Sequence, residues 1–354
     1  MKQQQRWFLS STAALLFLTL PGCLDIATTT VVNRDGSIHR SVMIEGDSAA
    51  IHEHRFPLAL KGPWEERIEK IDNRKFRYTA VRHFQDVAAL NDAMVGDPDT
   101  SLGIHATLEK RFEWFFTVYR YGERHASFNS FTTLPIGEYL TQAQIDLLLN
   151  KGSEEQESDT LARDEGEKQL EEWWTRNIFE VFFSEFLIGL RSLESPALSA
   201  ETVVARKEEM FNASREEFSS KDFKKIEGIF EKAFGKEVVR EVIASNDEGF
   251  RKFRQRLAFQ QQMFENSYRA TVEMPGLIVG TNAATIEGNS VTWEDFITHG
   301  LISDYELWVE SREINWWMIY LTGIVLILGF LLLIIPLFWR RGVTISNKSK
   351  ETVL

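Results

Sequence analysis

Residues 268–296 read YRATVEMPGLIVGTNAATIEGNSVTWEDF. A Pro275-Gly276 break and a Gly288-Asn289 turn divide this stretch into short runs rich in Val, Ile and Thr, the pattern of consecutive strands. Its place in the chain decides the fold. From about residue 137 to 267 there is almost no strand signal, and Pro196 is the one proline. A few short strands after a long helical stretch cannot bury a core alone, so they need partners from elsewhere.

Partners stand upstream. Residues 25–46 alternate like a hairpin, with IATTTVV on one side of an Asp35-Gly36 turn and SIHRSVMIEG on the other. Ile38, Val42 and Ile44 mark one face of the return strand. Arg40 shares that face, which suggests an edge position. Residues 75–83 alternate again. Val87, Leu90 and Met94 then recur at helical spacing behind Asp86, an expected cap. Residues 104–121 suggest two strands with a turn near Lys110 and with Phe112, Trp114 and Phe116 on one face. Near the end, residues 304–312 set Tyr305, Leu307 and Val309 against Glu306, Trp308 and Glu310.

The expected fold is α+β. An antiparallel β-rich domain is formed by residues 23–135 and 268–315, with a helical insertion at 136–267. Insertion occurs at exposed loop tips, and this arrangement would turn both ends of the β domain toward one membrane. Two serial β domains separated by helices are the competing architecture.

Within the insertion, Thr141 and Gln144 form a capping box before a short helix. Residues 153–172 carry nine acids against Arg163 and Lys168, read as a solvated loop entering a helix start. The spacing is not that of an EF-hand calcium loop. Residues 171–190 follow, with Trp174, Ile178, Phe182, Phe186 and Leu190 repeating every four positions. Arg176, Glu180 and Glu185 exclude a membrane span there. This stripe is either the core of a bundle or the wall of an apolar pocket, which makes Trp174, Phe182 and Phe186 the candidate ligand-binding residues. Further helices are expected over 199–219, 221–234 and 236–265.

Both termini carry membrane signals. Lys2 and Arg6 precede an uncharged run ending near Leu20, short for a bilayer span and right for an export signal. Residues 1–22 are the expected signal peptide. The LPGC sequence at 20–23 resembles a lipoprotein lipobox. The resemblance implies that Cys23, the single cysteine of 354 residues, is acylated with diacylglycerol and palmitate and becomes the first residue. An ordinary signal peptide or uncleaved anchor is the alternative. At the other end, residues 316–339 are uncharged, and at 1.5 Å per residue they reach about 36 Å. Trp316, Trp317 and Tyr320 at one end and Phe338 and Trp339 at the other form two aromatic belts. The tail, 340–354, opens with Arg340 and Arg341, which predicts a cytoplasmic C-terminus and an extracytoplasmic body in the inner membrane.

Net charge narrows the partners. The chain carries −12, and without the basic leader and tail the remainder carries −17. That argues against nucleic acid and against a polybasic grip on anionic lipid.

Glu273-Met274-Pro275-Gly276, Thr281-Asn282 and the run from Glu287 to Trp293, together with Asp35-Gly36-Ser37 and the lipobox, resemble LppM-type bacterial lipoproteins. The resemblance covers about a quarter of the chain and leaves the helical region unaccounted for. It implies an exported, lipid-anchored α+β domain of the cell envelope that binds lipids or glycolipids.

Residue chemistry adds little to that. There is no phosphate loop, no G-x-S-x-G and no H-E-x-x-H, so neither an enzyme nor a cofactor is expected. His52 and His54 would share a face if they lay on a strand and could then hold a metal; a solvated loop is the plainer reading. Trp293 and Trp308 are either β-core residues or carbohydrate platforms. Two functions remain: a membrane-anchored module that binds a lipid or other apolar ligand, and a scaffold in envelope assembly whose helical insertion docks a protein partner.

Overall fold

A computed structural model describes residues 24–97, 99–149, 157–193, 198–219, 223–294 and 297–348. The expected signal peptide and Cys23 lie outside the described residues. The fold is mixed α+β with two sheets and an apolar C-terminal helix.

The first sheet collects strands from both sides of the helical stretch. The hairpin β1 (Asp25–Val32) and β2 (Ile38–Gly46) forms as expected, and its turn closes with Asp35 accepting from the Ser37 N–H at 2.9 Å. After the short helix α1 (Ser48–His52) come β3 (Glu65–Lys70) and β4 (Phe76–Phe84), then α2 (Val87–Met94), capped by Asp86. β7 (Ser267–Glu273) lies beside β1, and β9 (Thr285–Glu287) and β10 (Ser290–Glu294) complete the order β3-β4-β2-β1-β7-β10-β9. One pairing departs from the antiparallel expectation. β1 and β7 run parallel, with Ile26 opposite Tyr268 and Val31 opposite Glu273. A parallel neighbour needs a long crossover, and the helical stretch between β6 and β7 provides it.

The second sheet is β5 (Ile104–Glu113), β6 (Phe116–His125), β11 (Tyr305–Ile314) and β8 (Leu277–Thr281), in that order. The β5–β6 turn falls at Trp114 and Phe115 rather than at Lys110. Trp114 takes a left-handed φ of 48° there, and the register pairs Phe112 with Thr117 and Phe116 with Glu113, so the two phenylalanines lie on opposite faces rather than on one. Pro275-Gly276 carries the chain from one sheet to the other. Gly276 has φ +84°, and a Cβ there would stand 2.3 Å from the Arg312 carbonyl oxygen, so only glycine fits this crossing.

The helical stretch holds α3 (Gln142–Leu149), α4 (Glu157–Ser192), α5 (Ala200–Ala205), α6 (Lys207–Ser219), α7 (Phe223–Phe234), α8 (Lys236–Ser245) and α9 (Asp247–Glu265). The capping box is formed, with the Thr141 N–H donating to Gln144 Oε1 at 3.0 Å. The backbone of the acid-rich segment is already helical from Glu157, so α4 is one 36-residue rod rather than a loop followed by a shorter helix. It packs against α3, α6, α8 and α9. A last short helix, α10 (Ile297–Ile302), precedes β11, and α11 (Trp316–Lys348) follows it. Within α11, Trp316–Ile335 is long and apolar enough to cross a membrane, and only 6% of it is buried against the body. The helix runs on through the basic segment instead of ending at residue 339.

Strand register fixes where the two ends of the body stand. Ile314 pairs with Phe116 at one end of the second sheet, and Tyr305 with His125 at the other. The His125 ring meets Tyr268, the partner of Ile26, so β1 begins at the His125 end. Arg34, beyond the far end of β1, is ion-paired with Glu313. Leu24 and Asn315 therefore lie at opposite ends of the sheets, separated by roughly the length of the ten-residue β6, about 30 Å. The expectation that both ends of the β domain face one membrane is not met. A single pass along β1, antiparallel to β6, carries the chain from one pole to the other.

Candidate functional site

Two regions carry more than packing: a charged cluster sealed between the sheets, and the foot of the body where α11 begins.

The cluster is built by alternation. Thr28, Thr30 and Arg40 point from the first sheet toward the second, and Tyr121, Glu123 and His125 point back. All six are buried, Arg40 and Glu123 to 1% exposure each. Arg40 donates through Nη1 to Glu123 Oε1 and to Thr30 Oγ1. The Tyr121 hydroxyl donates to the same carboxylate oxygen at 2.6 Å, and His125 Nε2 stands 3.3 Å from Glu123 Oε2. Burial alone would raise the Glu123 pKa; the Arg40 charge and the His125 hydrogen bond outweigh it and hold the carboxyl well below its usual range. Burial would lower that of Arg40, and the Glu123 charge more than restores it. Burial pushes Tyr268 up to about 12 and Tyr121 further. Arg40 is thus not an edge residue. β2 lies inside its sheet, and the charge is matched from the facing sheet.

The described cavities do not reach this cluster. One of about 570 Å³ opens beside the β1–β2 turn, lined by Val31, Val32, Arg34, Asp35, Met274 and Pro275 among others. One of about 780 Å³ lies between α4 and α6, lined by Glu165, Lys168, Glu171, Glu172, Arg215 and Glu216 among others. A third, about 400 Å³, sits at the β1–β7 start beside Asp25, Tyr268 and Arg269.

Trp174, Phe182 and Phe186 are buried in the helical region and line none of these three cavities. The Phe182 ring meets those of Phe218, Phe223, Phe230, Phe250 and Phe253 at 4.9 to 5.8 Å. Phe186 meets Phe230 and Phe234, and Trp174 Nε1 donates to Gln260 Oε1 at 2.9 Å. Gln260 reaches on to Asn129, tying the helices to the loop after β6.

The other sequence candidates separate in the same way. His52 ends α1, and His54, at φ 53°, turns onto Phe56 and Tyr78. Among the described residues no three His, Cys, Asp or Glu side chains are grouped to hold a metal. Trp293 is buried and donates to Asn282 Oδ1 at 3.0 Å, an oxygen that also accepts from the Trp308 N–H at 2.9 Å. Arg120 lies over the Trp308 ring at 5.2 Å.

At the foot, the β5–β6 turn projects beside α11. Phe112, Trp114, Phe115 and Phe116 are 54%, 54%, 39% and 41% exposed. Phe112 stacks on Trp317 with ring centroids 6.0 Å apart. Trp114 Nε1 donates to Thr322 Oγ1 at 3.1 Å. Asn315, the hinge between β11 and the helix, donates its backbone N–H to the Phe115 carbonyl at 2.8 Å and accepts from Thr117 Oγ1 at 2.9 Å. The sequence put Phe112, Trp114 and Phe116 on one strand face; the structure instead gathers them, with Phe115, around the turn beside α11.

No family model matches the sequence, and no curated protein matches it. One solved structure aligns, the NMR structure of the folded domain of LppM from Mycobacterium tuberculosis. It is 10% identical and has a TM-score of 0.30, with 84% of this chain and 95% of that chain covered. A score that low marks a distant resemblance, and no property of LppM transfers on it.

Proposed function

We propose that this protein is a non-catalytic, membrane-tethered scaffold of the cell envelope, whose helical region docks a protein partner with a basic surface. One observation carries the reading: the helical region joins the sheets at the pole opposite α11. Leu24, at that pole, is bonded to Asn266 where α9 hands over to β7, and Phe128 packs on Phe264 there. A bundle on that pole stands about a β-strand length, ~30 Å, clear of the bilayer. Its aromatic residues are consumed in packing one another, so its surface, not its interior, is what it offers. Residues 136–267 hold 27 acids against 18 Lys and Arg, and the cleft between α4 and α6 is lined by Glu165, Glu171, Glu172 and Glu216 against Lys168 and Arg215. Such a face suits a basic partner.

The topology belongs to the same proposal: α11 spans the inner membrane, the body is extracytoplasmic and the basic tail is cytoplasmic. A photoreactive amino acid at Ile188 or Val204, both exposed on the helices, should give discrete protein adducts in cells, and one at Ile68 on the β3 edge should not. Absence of adducts from both helical positions would end the docking reading.

The second reading, a lipid-binding module, draws on the cavity beside the β1–β2 turn. It is partly apolar, and the Arg34–Glu313 pair at its rim puts it toward the end of the body where α11 starts. Native mass spectrometry of the full chain, showing a lipid that a Met274→Arg substitution removes, would favour that reading over docking.

A further inference from the structure

We propose that the β5–β6 turn is a second membrane foot, with Trp114 and Phe115 immersed in the headgroup–acyl boundary of the leaflet that α11 enters. The inference rests on the reading of Trp316–Ile335 as a membrane span.

Depth follows from one bond. Thr322 lies six residues into α11, about 9 Å along a helix rising 1.5 Å per residue. Trp114 Nε1 donates to its hydroxyl, so the indole lies beside the span and below the level of Trp316. A bilayer that takes up the helix to that depth takes up the indole too. Phe112 on Trp317 and the Asn315 contacts to Trp114 and Phe115 hold the turn against the helix start, so the two enter together.

Composition fits the same position. Four exposed aromatics around one turn leave a large apolar area in water if the turn stays outside, whereas the membrane interface favours amphipathic rings. The flanking residues mark the surface level: Lys110 reaches the Arg34 carbonyl, and Arg34 pairs with Glu313, above the aromatic cluster along the strands. One helix alone leaves the body free to swivel. Two contacts beside each other fix the tilt of the sheets and hence the direction in which the helical region points.

The test uses the full chain with Cys23→Ser, reconstituted in phosphatidylcholine vesicles. A polarity-sensitive thiol probe is placed in turn at Phe115→Cys, Phe112→Cys, Ile327→Cys in the middle of the span, and Ile68→Cys on the β3 edge. Lipid carrying a nitroxide near its headgroup should remove most of the emission at positions 115 and 112, and aqueous iodide should leave both unquenched. Position 68 should show the reverse. Iodide quenching at 115 and 112 equal to that at 68, with position 327 quenched by deep nitroxide lipid, would overturn the foot while leaving the span intact. Iodide quenching at 327 would overturn the span and the foot with it.

Discussion

Arg40 and Glu123, 83 positions apart in the chain, meet as an ion pair sealed between the two sheets, each side chain 1% exposed. Removing two charges from water costs several kcal/mol each, and their attraction repays this only with good geometry and further hydrogen bonds. Here Thr30 and Tyr121 supply those bonds. The expected role of the pair is to fix the register of one sheet against the other. Glu123→Ala leaves an uncompensated buried guanidinium and should cost about 3–5 kcal/mol. Arg40→Met combined with Glu123→Leu should recover most of that loss. Denaturant unfolding in detergent, followed by near-UV circular dichroism, measures both. A double variant as unstable as the single one would show that the pair contributes net stability rather than register alone.

The same carboxylate sets a pH dependence. The folded pKa of Glu123 lies below its unfolded value near 4.5. A depressed acid stabilises the fold fully above the unfolded value and loses that stabilisation as pH falls toward the folded one. The wild-type chain should therefore lose stability steeply below about pH 4. Arg40→Met with Glu123→Leu, which has no such group, should show a shallower acid limb. Parallel acid limbs for the two proteins would count against the assignment. The raised pKa of Arg40 contributes at every pH below its unfolded value, so it adds no slope in this window.

The sequence made the local elements legible and the long-range matches illegible. The Asp35-Gly36 hairpin, the Asp86 cap, the Thr141–Gln144 box and the Gly288-Asn289 turn all rest on residues within a few positions of one another, and all formed. Arg40 read as an edge residue because nothing nearby announces Glu123. The β3 strand, EERIEK, escaped notice because it is an edge strand exposed almost throughout and so shows no alternation. The parallel β1–β7 pairing is invisible to a turn-based reading, since no turn connects those strands. The same holds for the poles of the body: the end from which α11 leaves depends on β6 and β11 register, which no local pattern encodes.

For the helical region, Phe182 separates a packed core from a binding wall. Five aromatic rings surround it within 5.8 Å. Phe182→Ala should therefore cost about 3–5 kcal/mol, as a cavity cut in a packed interior does. Loss of helical signal at lower temperature than in the wild type, with any co-purifying lipid unchanged, is the expected outcome. Undiminished thermal stability together with loss of a bound lipid would instead make the ring a ligand contact.

Leu24 gives the last prediction. Its backbone N–H donates to Asn266 Oδ1 at 2.8 Å and its carbonyl accepts from the Ser267 N–H at 3.0 Å, at the end of the body away from Asn315. Cys23 is the next residue back. If α11 crosses a bilayer from Asn315, Leu24 stands about 30 Å from that bilayer, so an acyl group on the residue before it would reach the membrane only were β1 to peel away from both β2 and β7. Peeling would break two ladders at once. The helix should thus hold the protein alone. Cys23→Ser should leave retention of the full chain in alkaline carbonate unchanged, and a chain stopped after Asn315 should be released. Retention of the shortened chain that is lost on adding Cys23→Ser would show that the acyl group reaches the membrane, and that β1 opens to let it.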